Sequence, residues 1–96
     1  MSPRRSKLEI RLKILDAVRG GVDKPTRIMY ASNLSWKPTQ RILKQLIEQG
    51  LIREVRNDDY VKSRRRYEIT EKGIAVLEYF DKAKELLPID EISILD

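Results

Sequence analysis

The sequence predicts an α+β protein that is mainly α, with three helices, a β-hairpin and an additional C-terminal helix. Three observations support this fold class. Apolar residues recur at helical spacing in four segments, turn-forming residues separate those segments, and two short β-rich stretches flank a polar loop. The chain has 96 residues, which is enough for one small domain.

The first two helices have recognisable starts and ends. Residues 6–9 form a capping-box pattern, and the helix that they start should end at the glycines 20–21. A second, short helix should begin near Pro25, because proline is tolerated in a first turn. Asn33 can adopt the left-handed conformation that ends a helix, and Leu34 is the expected buried residue of the following turn.

The third helix, residues 36–49, has one apolar and one basic face. Ser35 is its expected cap, and Gly50 should end it. The residues of the inner face recur at i, i+3, i+4, i+7 and i+8, and they are Thr39, Ile42, Leu43, Leu46 and Ile47. The opposite face carries Lys37, Gln40, Arg41 and Lys44. A short helix joined by a tight turn to such a helix forms a helix-turn-helix.

A hairpin and a fourth helix complete the chain. Residues 51–55 and 65–69 are the predicted strands, and residues 56–64 form a polar tip. Thr70 should cap the fourth helix, which covers about 71–87. The aromatic residues expected in the core are Tyr30, Tyr67 and Phe80.

Positive charge is concentrated in the first two thirds of the chain. Residues 1–66 carry 17 Lys or Arg and 7 Asp or Glu, a net charge of +10, whereas residues 67–96 carry 3 and 8, a net charge of −5. This uneven distribution gives the first two thirds of the chain a strongly positive electrostatic potential, which favours binding to a polyanion. The alternative is a solvated basic surface with no partner, because charge alone is only an electrostatic footprint.

Missing residue types exclude several classes of activity. The chain has no His and no Cys. This excludes Cys/His zinc sites, thiol nucleophiles, disulfides and triads that need an imidazole. Asp58 and Asp59 lie in an expected turn with no third carboxylate at metal-binding spacing, and no glycine-rich phosphate loop exists. We therefore expect no enzyme activity, no cofactor and no metal.

The hydrophobic segments are short. None approaches the roughly 20 apolar residues of a membrane span, and no signal-peptide core follows the basic start. We expect an intracellular, cytoplasmic protein without a membrane partner.

Several short motifs resemble those of a known family. They are Ser6-Lys7-Leu8-Glu9-Ile10, Thr26-Arg27-Ile28-Met29-Tyr30, Asn33-Leu34-Ser35 and Thr70-Glu71-Lys72-Gly73. From residue 4 to about residue 85, the chain resembles the small archaeal winged-helix DNA-binding proteins, in which an extended last helix pairs two chains into a dimer. The resemblance implies a winged helix-turn-helix fold, with the hairpin as the wing, and it implies binding to double-stranded DNA.

This fold divides the chain into three parts. Residues 1–5 form a flexible basic arm, 6–70 the winged helix-turn-helix DNA-binding domain, and 71–96 a C-terminal helix and tail that dimerise. A frayed terminus that touches nothing is an equally good interpretation of the arm.

The basic face of helix 36–49 is the expected DNA-reading surface. The major groove is about 12 Å wide and admits a helix. Gln40 and Arg41 can make bidentate contacts with bases, whereas Lys37 and Lys44 suit phosphates. A solvated charged face is the alternative. Trp36 could stack on a sugar, but we expect it to pack with partial exposure.

The wing carries the densest basic cluster, which consists of Lys62, Arg64, Arg65 and Arg66. At a wing, this cluster would lie along the DNA backbone or enter the minor groove. Because side chains alternate along a strand, Arg65 must point away from its two neighbours. At least one of the three arginines should therefore have another role.

The start of the second helix supplies further candidates. The amide end of that helix favours a phosphate near Thr26 and Arg27. Pairing of Arg27 with an acidic side chain fits equally well. The expected DNA-binding residues are Thr26, Arg27, Ser35, Trp36, Lys37, Gln40, Arg41, Lys44, Lys62, Arg64, Arg65 and Arg66.

The fourth helix has more apolar surface than one domain needs. The residues expected to close the domain are Val76, Leu77, Phe80 and Leu87. The residues left over predict a homodimer, since such surface is rarely left in water. They are Tyr79, Ala83, Leu86, Ile89, Ile92 and Leu95. Alternatively, the tail folds back on its own chain.

Two functions from different classes remain. The first is a duplex DNA-binding protein, acting as a transcription regulator or as a component of the nucleoid. The second is a winged helix that serves as a protein-interaction module in a larger assembly. The uneven charge and the outward-facing basic helix favour the first.

Overall fold

Four helices and one β-hairpin follow one another in the predicted order. The structure is a computed structural model, and it describes residues 7–57 and 64–87, without the side chains of residues 56, 57 and 64. The elements are α1 Lys7–Arg19, α2 Pro25–Ser32, α3 Trp36–Glu48, β1 Ile52–Asn57, β2 Arg64–Ile69 and α4 Glu71–Leu86. The mainly helical α+β class is confirmed. The first residue of the expected capping box, Ser6, lies outside the described residues.

Residues with positive φ follow the first two helices, as predicted. Gly21 has a φ of 105° and Asn33 a φ of 55°. The Asn33 N–H donates to the Tyr30 carbonyl oxygen at 3.1 Å, and the Leu34 N–H donates to that of Met29 at 3.1 Å. These bonds satisfy carbonyl groups that the end of a helix leaves without partners. The backbone between α2 and α3 is therefore held in one conformation.

One hydrophobic core joins all six elements. Its buried members are Ile14, Leu15, Val18, Ile28, Leu43, Leu46, Ile52, Tyr67 and Leu77. Two buried hydroxyl groups accompany them. Ser32 Oγ donates to the Ile28 carbonyl oxygen at 2.6 Å, and Thr39 Oγ1 donates to that of Ser35 at 2.8 Å. Both hydroxyls are thus hydrogen-bonded, which offsets the cost of burying them.

Some expected core residues lie nearer the surface. Tyr30 is 77% exposed, so its assignment to the core is wrong. It lies on the side of α2 opposite Ile28 and Ser32, the buried residues of this short helix. Leu34 is half-buried and packs against the core, whereas Phe80 is half-buried but is not among the residues that pack against the core, so its assignment to the core is not confirmed. Tyr67, by contrast, is buried as predicted.

Ser35 precedes α3 but does not cap it with its side chain, contrary to the prediction. Its carbonyl oxygen accepts from the backbone N–H of Thr39 at 3.2 Å and from the Thr39 hydroxyl. A threonine hydroxyl can bond backward to a carbonyl four residues earlier in this way. The Ser35 residue remains exposed at the start of α3.

The hairpin has an inner and an outer face. The two strands pair antiparallel, with Ile52 opposite Ile69 and Glu54 opposite Tyr67. Since directly opposite residues share a face, these four residues lie on the inner face, toward the core. The strands reach further toward the tip than predicted, and β1 begins one residue later, at Ile52 rather than at residue 51.

The start of α4 is tied to the end of α3. Thr70 Oγ1 donates to the Gly50 carbonyl oxygen at 2.6 Å and accepts from the Gly73 N–H at 3.1 Å, which confirms Thr70 as the cap. Lys72 Nζ donates to the Gln49 carbonyl oxygen at 2.7 Å. The motif at residues 70–73 therefore satisfies backbone groups at the end of α3 as well as at the start of its own helix.

Candidate nucleic-acid interface

The outer face of α3 is polar and exposed along its length. Its basic part consists of Lys37, Gln40, Arg41 and Lys44, and the exposed Glu48 follows on the same face at the end of the helix. The buried residues Thr39, Leu43 and Leu46 lie on the other side of the helix and fix it to the core. The predicted division into an apolar and a basic face is confirmed. Three cations and one amide are thus presented together on a rigid element.

Bonds from other helices hold α3 in place. Arg11 Nη2 of α1 donates to Gln45 Oε1 at 2.7 Å, and this contact is partly buried. At the C-terminal end of α3, the Gln49 carbonyl oxygen accepts from Lys72 of α4. A hydrogen bond to a charged group is stronger than one between neutral groups. The orientation of the basic face is therefore set by contacts with both α1 and α4.

A cleft of about 490 Å³ separates the start of α3 from the hairpin; we call it the helix–wing cleft. Its lining residues are Lys24, Pro25, Thr26, Trp36, Gln40, Arg65 and Tyr67. Three separate parts of the chain meet there, namely the start of α2, the start of α3 and strand β2. The cleft is concave and carries Lys24 and Arg65, so its walls are suited to an anionic ligand.

A second cleft, of about 360 Å³, adjoins the first. It shares Gln40, Arg65 and Tyr67 with the helix–wing cleft and adds Lys44, Ile47 and Glu54. Arg65 therefore borders both clefts beside the basic face of α3. Its Nε atom lies 3.6 Å from Glu54 Oε2.

The arginines of β2 face different ways, as the alternation of a strand predicts. Arg65 approaches Glu54 on the inner face, whereas Arg66 Nη1 lies 3.9 Å from Asp23 Oδ2 in the loop between α1 and α2. Both arginines thus have an acidic neighbour in the free protein. Arg65 alone of these two borders the clefts next to α3.

Tyr67 forms the buried base of both clefts. Its backbone N–H donates to the Asp23 carbonyl oxygen at 2.9 Å, which joins the loop after α1 to the hairpin. Burial raises the pKa of its phenol, and the nearby charge of Glu54 raises it further, although Arg65 acts in the opposite direction. The phenol therefore stays neutral at physiological pH.

The remaining predicted site residues are not all brought together. Trp36 borders the helix–wing cleft and is 41% exposed, which agrees with packing and partial exposure. Thr26 borders the same cleft. Arg27 is exposed, and among residues 7–57 and 64–87 it has no acidic partner within 4.0 Å. Lys62 and the side chain of Arg64 lie outside the described residues.

Two charged residues of these clefts are not among the predicted site residues. Lys24 borders the helix–wing cleft. Its position directly before Pro25, at the start of a helix, is the feature of the sequence that could have indicated it. Glu54 contacts Arg65, and its signal was an acidic residue in a predicted strand with basic neighbours at residues 53 and 56. Neither position could be assigned without knowing how the hairpin packs against α3.

An apolar surface remains on α4. Leu77 is buried, and Arg19 of α1 contacts Asp81 at 3.3 Å, so this side of α4 faces the rest of the domain. Tyr79 is 80% exposed and Leu86 is 74% exposed. Leu87, which was expected to help close the domain, is 47% exposed, because the backbone has left the helix there at φ −121° and ψ 149°.

The described part of the chain contains neither a cluster of metal-binding side chains nor a membrane-spanning helix. In residues 7–57 and 64–87, no group of three or more acidic side chains is placed to hold a metal ion. Among the same residues, no helix combines the length and the apolar character required to cross a membrane.

Comparison with protein families identifies the fold. A family model described as winged helix-turn-helix matches residues 4–87. This chain belongs to the winged helix-turn-helix family. The hairpin of β1 and β2 is therefore the wing, and α3 occupies the position of the recognition helix.

Relatives of this winged helix-turn-helix chain include an archaeal protein. The chain is 34% identical over 70 residues to the uncharacterized protein MJ0287 of Methanocaldococcus jannaschii. The match covers 73% of this chain and 64% of that protein. The winged helix-turn-helix chain thus corresponds to less than two thirds of the length of this relative.

Solved structures share the winged helix-turn-helix fold. The structure of smu.1704 from Streptococcus mutans matches with a TM-score of 0.75 and 26% identity, over 96% of this chain and 92% of that one. FabT of Streptococcus pneumoniae, which was solved in complex with DNA, matches with a TM-score of 0.69 and 14% identity. That second match covers 95% of this chain and 66% of FabT. The predicted winged helix-turn-helix fold is confirmed.

Proposed function

We propose that this chain binds duplex DNA and acts as a transcription regulator or a nucleoid-associated protein. The observation that carries the proposal is the exposed face of Lys37, Gln40, Arg41 and Lys44 on α3, beside clefts that Arg65 borders. Such a face meets the chemical needs of a major-groove reader, since these side chains suit base edges and phosphates. The complex of the similarly folded FabT with DNA supports it.

In this proposal, α3 enters the major groove. Gln40 and Arg41 lie near the middle of the exposed face and contact base edges, while Lys37 and Lys44 contact phosphates. Ser35 and Trp36 lie at the start of α3, near the phosphate backbone. The bonds of Arg11 and Lys72 to α3 keep this orientation before DNA arrives, so binding requires little reordering.

The wing and the start of α2 contribute further phosphate contacts beside α3. Lys62, Arg64 and Arg65 of the wing follow the DNA backbone or enter the minor groove. Thr26 and Arg27 approach a phosphate at the start of α2. Arg66 contributes more weakly, because it is turned toward Asp23. Groups of the protein itself supply all of these contacts, so the proposed activity is binding without a metal, a cofactor or catalysis.

We also propose that two chains associate through α4. Tyr79 and Leu86 are exposed there, and Ala83 is half-buried. A two-fold interface would bury this surface on both chains at once. It would also present two recognition helices to successive turns of the major groove, which lie about 34–36 Å apart. The other expected contacts, Ile89, Ile92 and Leu95, lie outside the described residues.

Binding of a random-sequence duplex tests the proposed function. The double variant Lys37→Gln and Lys44→Gln removes two positive charges from α3, whereas Lys82→Gln and Lys84→Gln removes two from α4, where the lysines are also exposed. We expect the α3 variant to bind more weakly and to lower the steepness of the salt dependence by about 1.8, at about 0.9 for each phosphate contact. The α4 variant should resemble the parent. Equal effects of the two variants would contradict the assignment of α3.

A further inference from the structure

Arg65 is the described wing cation best placed to meet DNA beside α3, yet it has an acidic neighbour. Its guanidinium borders both clefts together with Gln40. Its Nε atom is 3.6 Å from Glu54 Oε2, and the two side chains are 54% and 28% exposed, respectively. The charge of Glu54 therefore lies on the surface proposed to receive a polyanion.

We propose that Glu54 competes with DNA for Arg65, so that it lowers the affinity for duplexes and acts as a built-in restraint on binding. This inference rests on the proposed function of the chain. In the free protein, Glu54 holds Arg65 against the inner face of the hairpin. When DNA binds, a phosphate replaces Glu54 as the partner of Arg65, and the carboxylate is left close to the duplex.

The geometry of the pair makes this exchange possible. At 3.6 Å, the contact is longer than a well-formed hydrogen bond, and more than half of the Arg65 side chain is open to solvent. Such exposed pairs stabilise a protein little and are easily screened. A DNA phosphate, held in place by neighbouring contacts, can therefore displace Glu54.

Glu54 itself cannot easily move away from the clefts. Its side chain is the less exposed of the two. Its backbone is held in β1 directly opposite the buried Tyr67, so the side chain leaves the strand next to the clefts. Its charge acts within the cleft, since it contributes to the raised pKa of Tyr67. Because Glu54 stays beside Arg65, a phosphate must displace it before pairing with Arg65, and the loss of that pair lowers affinity for every duplex.

A second ion pair on the same hairpin supplies the matched control. Glu68 Oε1 accepts from Arg53 Nε at 2.9 Å and lies 2.8 Å from Arg53 Nη2. Glu68 and Arg53 are directly opposite each other, on the outer face of the hairpin, away from the clefts. Glu68→Gln thus removes the same charge and also breaks an Arg–Glu pair, but not at the proposed DNA surface.

The first experiment compares the affinity of the parent, Glu54→Gln and Glu68→Gln for one random-sequence duplex at fixed salt. We expect Glu54→Gln to tighten binding about three- to fivefold and Glu68→Gln less than about twofold, since an exposed pair has an effect of this order. Glu54→Thr, which suits a strand, removes the same charge and should also tighten binding. Equal effects of the Glu54 and Glu68 variants would overturn the inference.

A double-mutant cycle shows whether Glu54 acts through Arg65. In an Arg65→Gln background, Glu54→Gln should have a clearly smaller effect than in the parent. Arg65→Gln alone should weaken binding and reduce the salt dependence by about 0.9. An undiminished effect in that background would overturn the competition for Arg65. If the parent itself fails to bind duplexes, the proposed function fails; if the parent binds but the cycle shows no coupling, only this inference fails.

Discussion

Gly73 lies against the carbonyl group of Leu51 so closely that a side chain at residue 73 would collide with it. A Cβ atom there would be 2.2 Å from the Leu51 oxygen and 2.7 Å from Ile69 Cγ1. Alanine is ordinarily favoured over glycine inside a helix, by about 1 kcal/mol. Residue 73 must therefore be a glycine for lack of space, because α4 approaches the backbone between α3 and β1 too closely to admit a Cβ atom.

Gly73→Ala should destabilise the protein despite its better helix propensity. We expect the free energy of unfolding to fall by about 1–3 kcal/mol, the usual effect of overpacking, in urea-induced unfolding. Gly20→Ala is the control, because a Cβ atom there would be 3.5 Å from its nearest neighbours, an ordinary contact. If the two variants are equally stable, α4 does not approach Leu51 as described.

Tyr67 should ionise at a higher pH than an ordinary tyrosine. Burial raises the pKa of its phenol above 10.0, Glu54 adds to this, and Arg65 opposes it. Because the folded-state pKa exceeds the unfolded one, the resulting stabilisation is complete below about pH 10 and is lost as the pH rises through the folded-state value. A tyrosinate absorbance titration of the parent should contain a late component that is absent from Tyr67→Phe and from the urea-unfolded chain. A late component that persists in Tyr67→Phe would contradict the assignment.

Base-reading and phosphate-contacting residues on α3 should be separable by mutation. Replacing Gln40 and Arg41 with alanine should reduce the preference among duplex sequences, since one good bidentate contact discriminates by about 1–3 kcal/mol. Replacing Lys37 and Lys44 with alanine should instead weaken binding to all duplexes alike. Competition assays against a duplex library measure both quantities. The division of roles is wrong if both double variants lose preference to the same extent.

The α4 interface can be tested with two tyrosines of similar exposure. Tyr79 on α4 is 80% exposed and Tyr30 on α2 is 77% exposed. A glutamate in place of Tyr79, combined with Leu86→Glu, should convert a dimeric parent into a monomer in sedimentation equilibrium, because two charges would have to be buried. Tyr30→Glu should leave the dimer intact. A parent that sediments as a monomer at micromolar concentration would exclude the homodimer.

The helical part of the fold could be predicted because local signals and packing agree there. The spacing of Thr39, Leu43 and Leu46 specified which face of α3 is buried, and so also which face is exposed. Positive φ at Asn33 followed from a side chain that tolerates it. Thr70 was identified as a cap from its position before a helical segment, and its hydroxyl accepts the Gly73 N–H.

The features that were not predicted have different physical causes. Ser35 is of a residue type that often caps a helix, but its side chain makes no capping hydrogen bond to α3. Tyr30 has the character of a core residue, yet it lies on the side of α2 opposite the buried Ile28 and Ser32. The pairing of Arg65 with Glu54 depends on strand register, which the sequence leaves open within one or two residues.

The salt dependence of duplex binding tests the central claim most directly. If the five cations of α3 and the wing that are assigned to phosphates neutralise them, the logarithm of the association constant should fall against the logarithm of the salt concentration with a slope of about −4 to −5. The measurement requires only the parent chain and a random-sequence duplex, titrated from about 50 to 200 mM salt. A slope of that size is the predicted result. A slope near zero, or no binding at the lowest salt concentration, would contradict the proposal that this winged helix-turn-helix chain is a DNA-binding protein.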